Sequence, residues 1–169
     1  MRSNRNLWMI LVACCLALLV YLWMTSSHMP PRIAVHFGVD GVANGWMTPK
    51  EHILFVAGFG VGLPFFVALV FTLASHLPDH WINIPNRAYW LAVERRKATE
   101  QWIQRQGLWL AYALVAFAAL IHHSILRANS TDVPNLSSGL IVPPIAVLLS
   151  AVIVSTALML RRFRKPTQL

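Results

Sequence analysis

The stretch MPPRIAVHFGVDGVANGWMTPKE, residues 29–51, is polar and rich in turn residues, and it lies between two long apolar runs. Those flanks decide the fold. Residues 7–24 before it and 53–75 after it contain no Asp, Glu, Lys or Arg. Both fall in the range of about 17–25 apolar residues that lets a helix cross a bilayer. Working outward, residues 107–126 and 140–160 repeat the pattern. Of the 169 residues, 57% are hydrophobic and only 12% charged, against about 25% charged in soluble domains. The expected fold is an all-α integral membrane protein, a single membrane domain over residues 1–169 with four transmembrane helices.

The direction of the spans follows from their flanking charge. Segments before span one, between spans two and three, and after span four hold eleven Lys and Arg, against three (Arg32, Lys50, Arg127) in the alternate segments. Basic residues are retained on the cytoplasmic side, so both termini and the middle loop are expected in the cytoplasm of a multi-pass cell-membrane protein. Residues 29–51 then face outward. The net charge of +8 is explained by topology, because the basic residues sit at span ends, and no nucleic-acid partner is expected. The first run is expected to stay as an uncleaved helix, since LVAC at residues 11–14 is preceded by too short an apolar stretch for a signal peptide.

Within the outer segment, RIAVHF favours strands and GVDGVANG supplies turn residues, including Asn44-Gly45. A short β-hairpin or an ordered extended loop is expected, packed on the helix ends through Ile33, Phe37 and Trp46. TPKE at residues 48–51 reads as a helix start, with Thr48 capping, Pro49 in the first position and Glu51 closing a capping box. Gly58 and Gly62 form a G-x-x-x-G, a spacing that either brings helices close or reflects the ordinary frequency of glycine in membrane helices. The middle loop is broken by Pro78 and Pro85, after which nothing stops a helix from Asn86 until Gly107. A basic, partly amphipathic helix is expected there at the cytoplasmic interface, with anionic lipid headgroups as its partner.

Seven histidines are present, five of them on the expected outer side (His28, His36, His52, His122, His123). Their spacing matches no metal motif, and neighbours such as His122 and His123 point apart on a helix. No metal and no cofactor are expected. Nucleophile, phosphate and dinucleotide signatures are missing too, so the expectation is a protein that is not an enzyme. Ser150 and Ser155 in the fourth span read as helix-packing groups.

Two segments carry a resemblance. The outer stretch matches through Pro30, Arg32, Ile33, His36, Phe37, Gly41, Gly45, Trp46 and Lys50, and INIPNRAYWLAVERR through Asn83, Pro85, Asn86, Arg87, Tyr89, Trp90, Leu91, Glu94, Arg95 and Arg96. Together they resemble a bacterial membrane family classed as a domain of unknown function and related to the N-terminal domain of the SdpI toxin-immunity protein. The likeness covers about the first 100 residues, with Ala34, Gly38 and Val93 where that family commonly has proline, asparagine and proline. It implies two motif-bearing surfaces. Arg32, His36, Phe37, Asn44, Trp46 and Lys50 would recognise a peptide or envelope ligand outside. Asn86, Arg87, Tyr89, Trp90, Glu94, Arg95 and Arg96 would meet a protein partner or lipid inside. Two other readings stay open: a structural subunit of a larger membrane assembly, and a small transporter, which the lack of charge in the spans disfavours.

Overall fold

Helix α1 (Arg5–Ser26) leads into strands β1 (Ile33–Phe37) and β2 (Ala43–Met47) of an antiparallel hairpin, then helix α2 (Pro49–Ala57). A π-helical turn (Gly58–Gly62) joins α2 to α3 (Leu63–Ala74); the short α4 (Arg87–Trp90) precedes α5 (Val93–Ala128) and α6 (Ser138–Arg162). The structure is a computed structural model and describes residues 4–164. Arg2 and Lys165, which contribute to the charge asymmetry, lie outside the described residues. Four helical stretches are long and apolar enough to cross a membrane: α1, α2 continued through α3, α5 and α6. The chain is a multi-span membrane protein.

Helix α5 is the axis of the bundle, with α1, α3 and α6 all packed on it. Leu108, Ala111, Val115 and Ala118 of α5 meet Leu11, Cys15, Leu18 and Leu22 of α1 and Val56 and Ala68 of the second span in one buried cluster. Helix α6 is the least buried span. At 36 residues and about 1.5 Å per residue, α5 is about 54 Å long and overshoots a hydrocarbon core of about 30 Å. The surplus is its basic N-terminal part. The expected interfacial helix therefore divides in two: α4 stands alone, and the rest is continuous with the third span, passing through Gly107. The break after α4 needs neither Pro nor Gly, because side chains from α5 take α4's last carbonyls. Thr99 Oγ1 donates to Trp90 O at 2.8 Å and Arg95 Nε to Tyr89 O at 2.8 Å.

Glycines act where backbones approach, and these are not the predicted ones. A Cβ on Gly58 or Gly62 would meet nothing within 4 Å, whereas one on Gly60 would sit 2.5 Å from Leu18 Cδ2 and 2.9 Å from Ala118 Cβ. On Gly107 it would fall 2.3 Å from Phe71 Cβ. Gly107→Ala is therefore expected to push α3 from α5 and cost roughly 1–3 kcal/mol by overpacking; thermal unfolding in detergent checks this, with Gly58→Ala as the neutral control.

The π turn has a local cause. Pro64 has no N–H for the Gly60 carbonyl and its ring crowds that oxygen, so the helix widens by one residue before it. Pro143 and Pro144 lie inside α6, and Ser124 Oγ of α5 donates at 2.7 Å to Leu140 O, the carbonyl that Pro144 leaves without its helical donor. Ser155 packs as expected, buried with its hydroxyl on Gln106 Oε1 at 3.3 Å, but Ser150 is exposed.

Candidate functional site

The hairpin is short, and two strands alone are marginal in water. It is held from below. Ile33 and Ala34 are fully buried. Asn129, just past the end of α5, grips Ala34 from both sides: Ala34 N donates to Asn129 Oδ1 at 2.8 Å, and Asn129 Nδ2 donates to Ala34 O at 2.9 Å. The loop before α6 holds the turn, with Leu136 N donating to Gly41 O at 3.0 Å and a bridge between Val42 and Asn135. At the other end of β2, Thr48 and Glu51 form the expected capping box that starts α2.

The turn itself differs from expectation. Asn44-Gly45 lies within β2, and the chain reverses over Gly38–Val42, where Gly41 takes φ +79°. The Asp40 carboxylate accepts from Val42 N at 3.0 Å, and Gly41 N donates to Gly38 O at 2.9 Å. Gly45 is required for a second reason: a Cβ there would lie 2.7 Å from His36 Cβ across the strands.

Of the outer candidates, Arg32, His36, Asn44, Trp46 and Lys50 are exposed and Phe37 is half-buried. The fold brings two pairs of these residues together. The Arg32 guanidinium lies 5.7 Å from the centre of the Trp46 ring, a cation–π contact, and His36 Nδ1 hydrogen-bonds Asn44 Oδ1. Trp46, expected as a packing residue, is 42% exposed, although it pairs directly with the buried Ala34 and so shares that residue's face of the hairpin.

The opposite group of candidates is used differently. Asn86 adopts the left-handed conformation (φ 54°) and donates from Nδ2 to Phe163 O at 2.8 Å, a role asparagine fills because it tolerates that region. Trp90 packs against Phe163 in a cluster with Ile82, Ile84, Leu91 and Ile103. Arg96 is paired with Asp79 and Glu100, and Arg87 reaches His80 O at 3.3 Å. Asn86, Trp90 and Arg96 thus tie the segment before α5 to the bundle. Tyr89 and Arg95 stack at 3.9 Å, and Glu94 is exposed. Arg162, from the end of α6, adds a guanidinium 4.2 Å over the Trp90 ring, a contributor that the sequence reading missed.

Beneath the hairpin lies a second group that sequence reasoning also missed. His52 of α2 and His122 of α5 are buried, with His52 Nε2 at 3.0 Å from His122 Nδ1 and the rings stacked at 18°. His122 Nε2 is 2.8 Å from Thr25 Oγ1 of α1, and Tyr21 sets its ring edge-on to His122. His123 points away and bonds the Tyr21 hydroxyl at 3.1 Å. Among the described residues no three metal-ligating side chains gather. The signal was present: His122 continues the buried seam Ala111, Val115, Ala118 at spacings of four and three, which puts it inside the bundle.

Residues 10–61 match a family described as a domain of unknown function, DUF1648. The match takes in most of α1, the hairpin and α2, ending in the π turn. No curated protein and no solved structure matches the chain. The link to the toxin-immunity protein therefore rests on the sequence resemblance alone.

Proposed function

We propose that this is a noncatalytic membrane protein, immunity- or sensor-like, that recognises a peptide or envelope ligand on the outer side of the cell membrane through the exposed side chains of its hairpin. One observation carries the reading: the hairpin separates anchoring from presentation. Ile33 and Ala34 are sunk into the helix ends, while Arg32, His36, Asn44 and Trp46 stand exposed. A strand pair needed only as a lid would gain by burying its tryptophan; here the ring is left open under a guanidinium, the combination enriched in binding hot spots. Both termini then lie in the cytoplasm by the charge asymmetry. At that end Arg95, Arg162 and the rings of Tyr89 and Trp90 form a basic aromatic edge suited to anionic headgroups.

The test is a double variant, Arg32→Ala with Trp46→Ala, in cells lacking the wild-type gene and challenged with a panel of membrane-active peptides. Surface substitutions change stability by about 0.5 kcal/mol or less, so the variant should accumulate and melt like wild type. A lost hot spot of about 2 kcal/mol should shift the protective concentration roughly 30-fold. If wild type protects against a peptide and the variant protects equally, recognition through this face is wrong.

The structural-subunit reading draws on α6, whose Val142, Leu149, Ile153 and Leu160 face outward from the bundle. Lipid covers such a face as well as a partner does, which ranks this reading second.

A further inference from the structure

The chain of His52, His122 and Thr25 is placed where it can control the hairpin. β2 runs through Thr48 directly into α2, whose first turns carry His52. β1 is clamped by Asn129, about two turns beyond His122 on α5. β1 also packs on both α2 and α5. β2 is thus tied to α2 and β1 to both α2 and α5, and the contact between the two histidines joins those two helices near the ends that carry the strands.

The chain of hydrogen bonds can run in either direction, and both end in the same conflict. The Thr25 hydroxyl either gives its one proton to the carbonyl of Tyr21 at 2.9 Å or Leu22 at 3.1 Å and accepts from His122 Nε2–H, or turns and donates to a bare Nε2 at 2.8 Å. In the first case His52 Nε2–H donates to His122 Nδ1, and in the second His122 Nδ1–H donates to His52 Nε2. Both rings are neutral in either case. One added proton can go to the nitrogen away from the contact, His52 Nδ1 in the first case and His122 Nε2 in the second. A second must go to the accepting nitrogen of the contact, where it would face the other ring's N–H across 3.0 Å, two donors and two positive charges with no acceptor between them.

The surroundings offer no relief. Neither ring pairs with a carboxylate among the described residues. Glu51, one residue before His52, is taken by the N–H and hydroxyl of Thr48. From α1 the facing groups are Tyr21 and Thr25; on α5 His123 is held by Tyr21, and Lys50 and Arg127 at this end are exposed and of the wrong sign. Acidification favours whichever arrangement can hold both protons, and the joined one cannot.

We propose that His52 and His122 form a proton-binding site that latches the hairpin to the helix ends when the rings are neutral and releases it when both are protonated. Its consequence for recognition rests on the function proposed above; its test does not, because no ligand is involved. The experiment is hydrogen–deuterium exchange of the hairpin amides in detergent at about pH 8 and about pH 5, values either side of an ordinary histidine's titration, corrected for intrinsic exchange. Wild type should lose roughly tenfold or more of its hairpin protection on acidification, with the helices unchanged.

His52→Gln supplies an amide that can donate to a bare Nδ1 or turn to accept from a protonated one, and should stay protected at both values. His122→Ala should be loose at both. A wild type without pH response overturns the proposal, and so does a His52→Gln hairpin that responds like wild type, which would place the sensor at His28 or His36. A His122→Ala hairpin as protected as wild type at the higher pH overturns it as well, by showing that the contact holds nothing. If the exchange results hold and peptide protection in cells still fails, the latch stands and the recognition reading falls.

Discussion

Phe163→Ala is expected to cost about 3–5 kcal/mol, the range for an aromatic truncated in a filled core. Phe163 follows the last residue of α6 and is 0% exposed. Its ring meets Trp102 at 5.2 Å and Trp90 at 5.8 Å, both near perpendicular, with Ile82, Ile84, Leu91 and Ile103 around them. These residues come from three stretches of chain: residues 82–91, which include α4, then α5, and the residue after α6. The Asn86 bond to the Phe163 carbonyl survives the substitution, so the loss is one of packing and cavity. Thermal unfolding in detergent should fall sharply, with early proteolysis across residues 79–92. Phe163→Leu should retain most of the stability, losing less than about 1.5 kcal/mol. A loss below about 1 kcal/mol for Phe163→Ala would mean that the cluster does not hold the basic end together.

Asn129→Ala is expected to detach the hairpin while leaving the four helices formed. Ala34 is fully buried, and both its N–H and its carbonyl are partnered by this one side chain. Each buried group left unpaired costs about 1–3 kcal/mol, and a two-stranded sheet has little reserve. Helical circular dichroism should be unchanged. Hydrogen-exchange protection over residues 33–47 should drop by roughly 30-fold or more, the equivalent of about 2 kcal/mol of local opening. Asn129→Asp keeps the acceptor and loses the donor, so it should fall between wild type and Asn129→Ala. The loss in Asn129→Ala should be the same in acid and base, which separates this clamp from the histidine latch.

Much of this was legible locally. A span needs only enough apolar length, and the four runs showed it without reference to one another. TPKE announced the start of α2 because a capping box is satisfied within four residues. The outer candidates came from one turn-rich motif, and five of the six are exposed. The basic candidates fared differently: Asn86, Trp90 and Arg96 read as interaction residues, yet their partners are Phe163, Asp79 and Glu100 within the chain. Nothing near position 86 reveals a carbonyl at position 163.

By itself the sequence determined that this chain has four helices long and apolar enough to cross a membrane, and that a short hairpin or an ordered loop stands between the first two. These are properties of short windows, set by hydropathy and by hydrogen bonds that close within a turn or two. Only the tertiary structure decided which glycine is a contact and which hairpin side chains are exposed. It also decided that His52 and His122, 70 residues apart in sequence, share one hydrogen bond. The physical reason is that packing and buried polar pairing join groups by position in space, and a buried donor takes the nearest acceptor whatever its number in the chain.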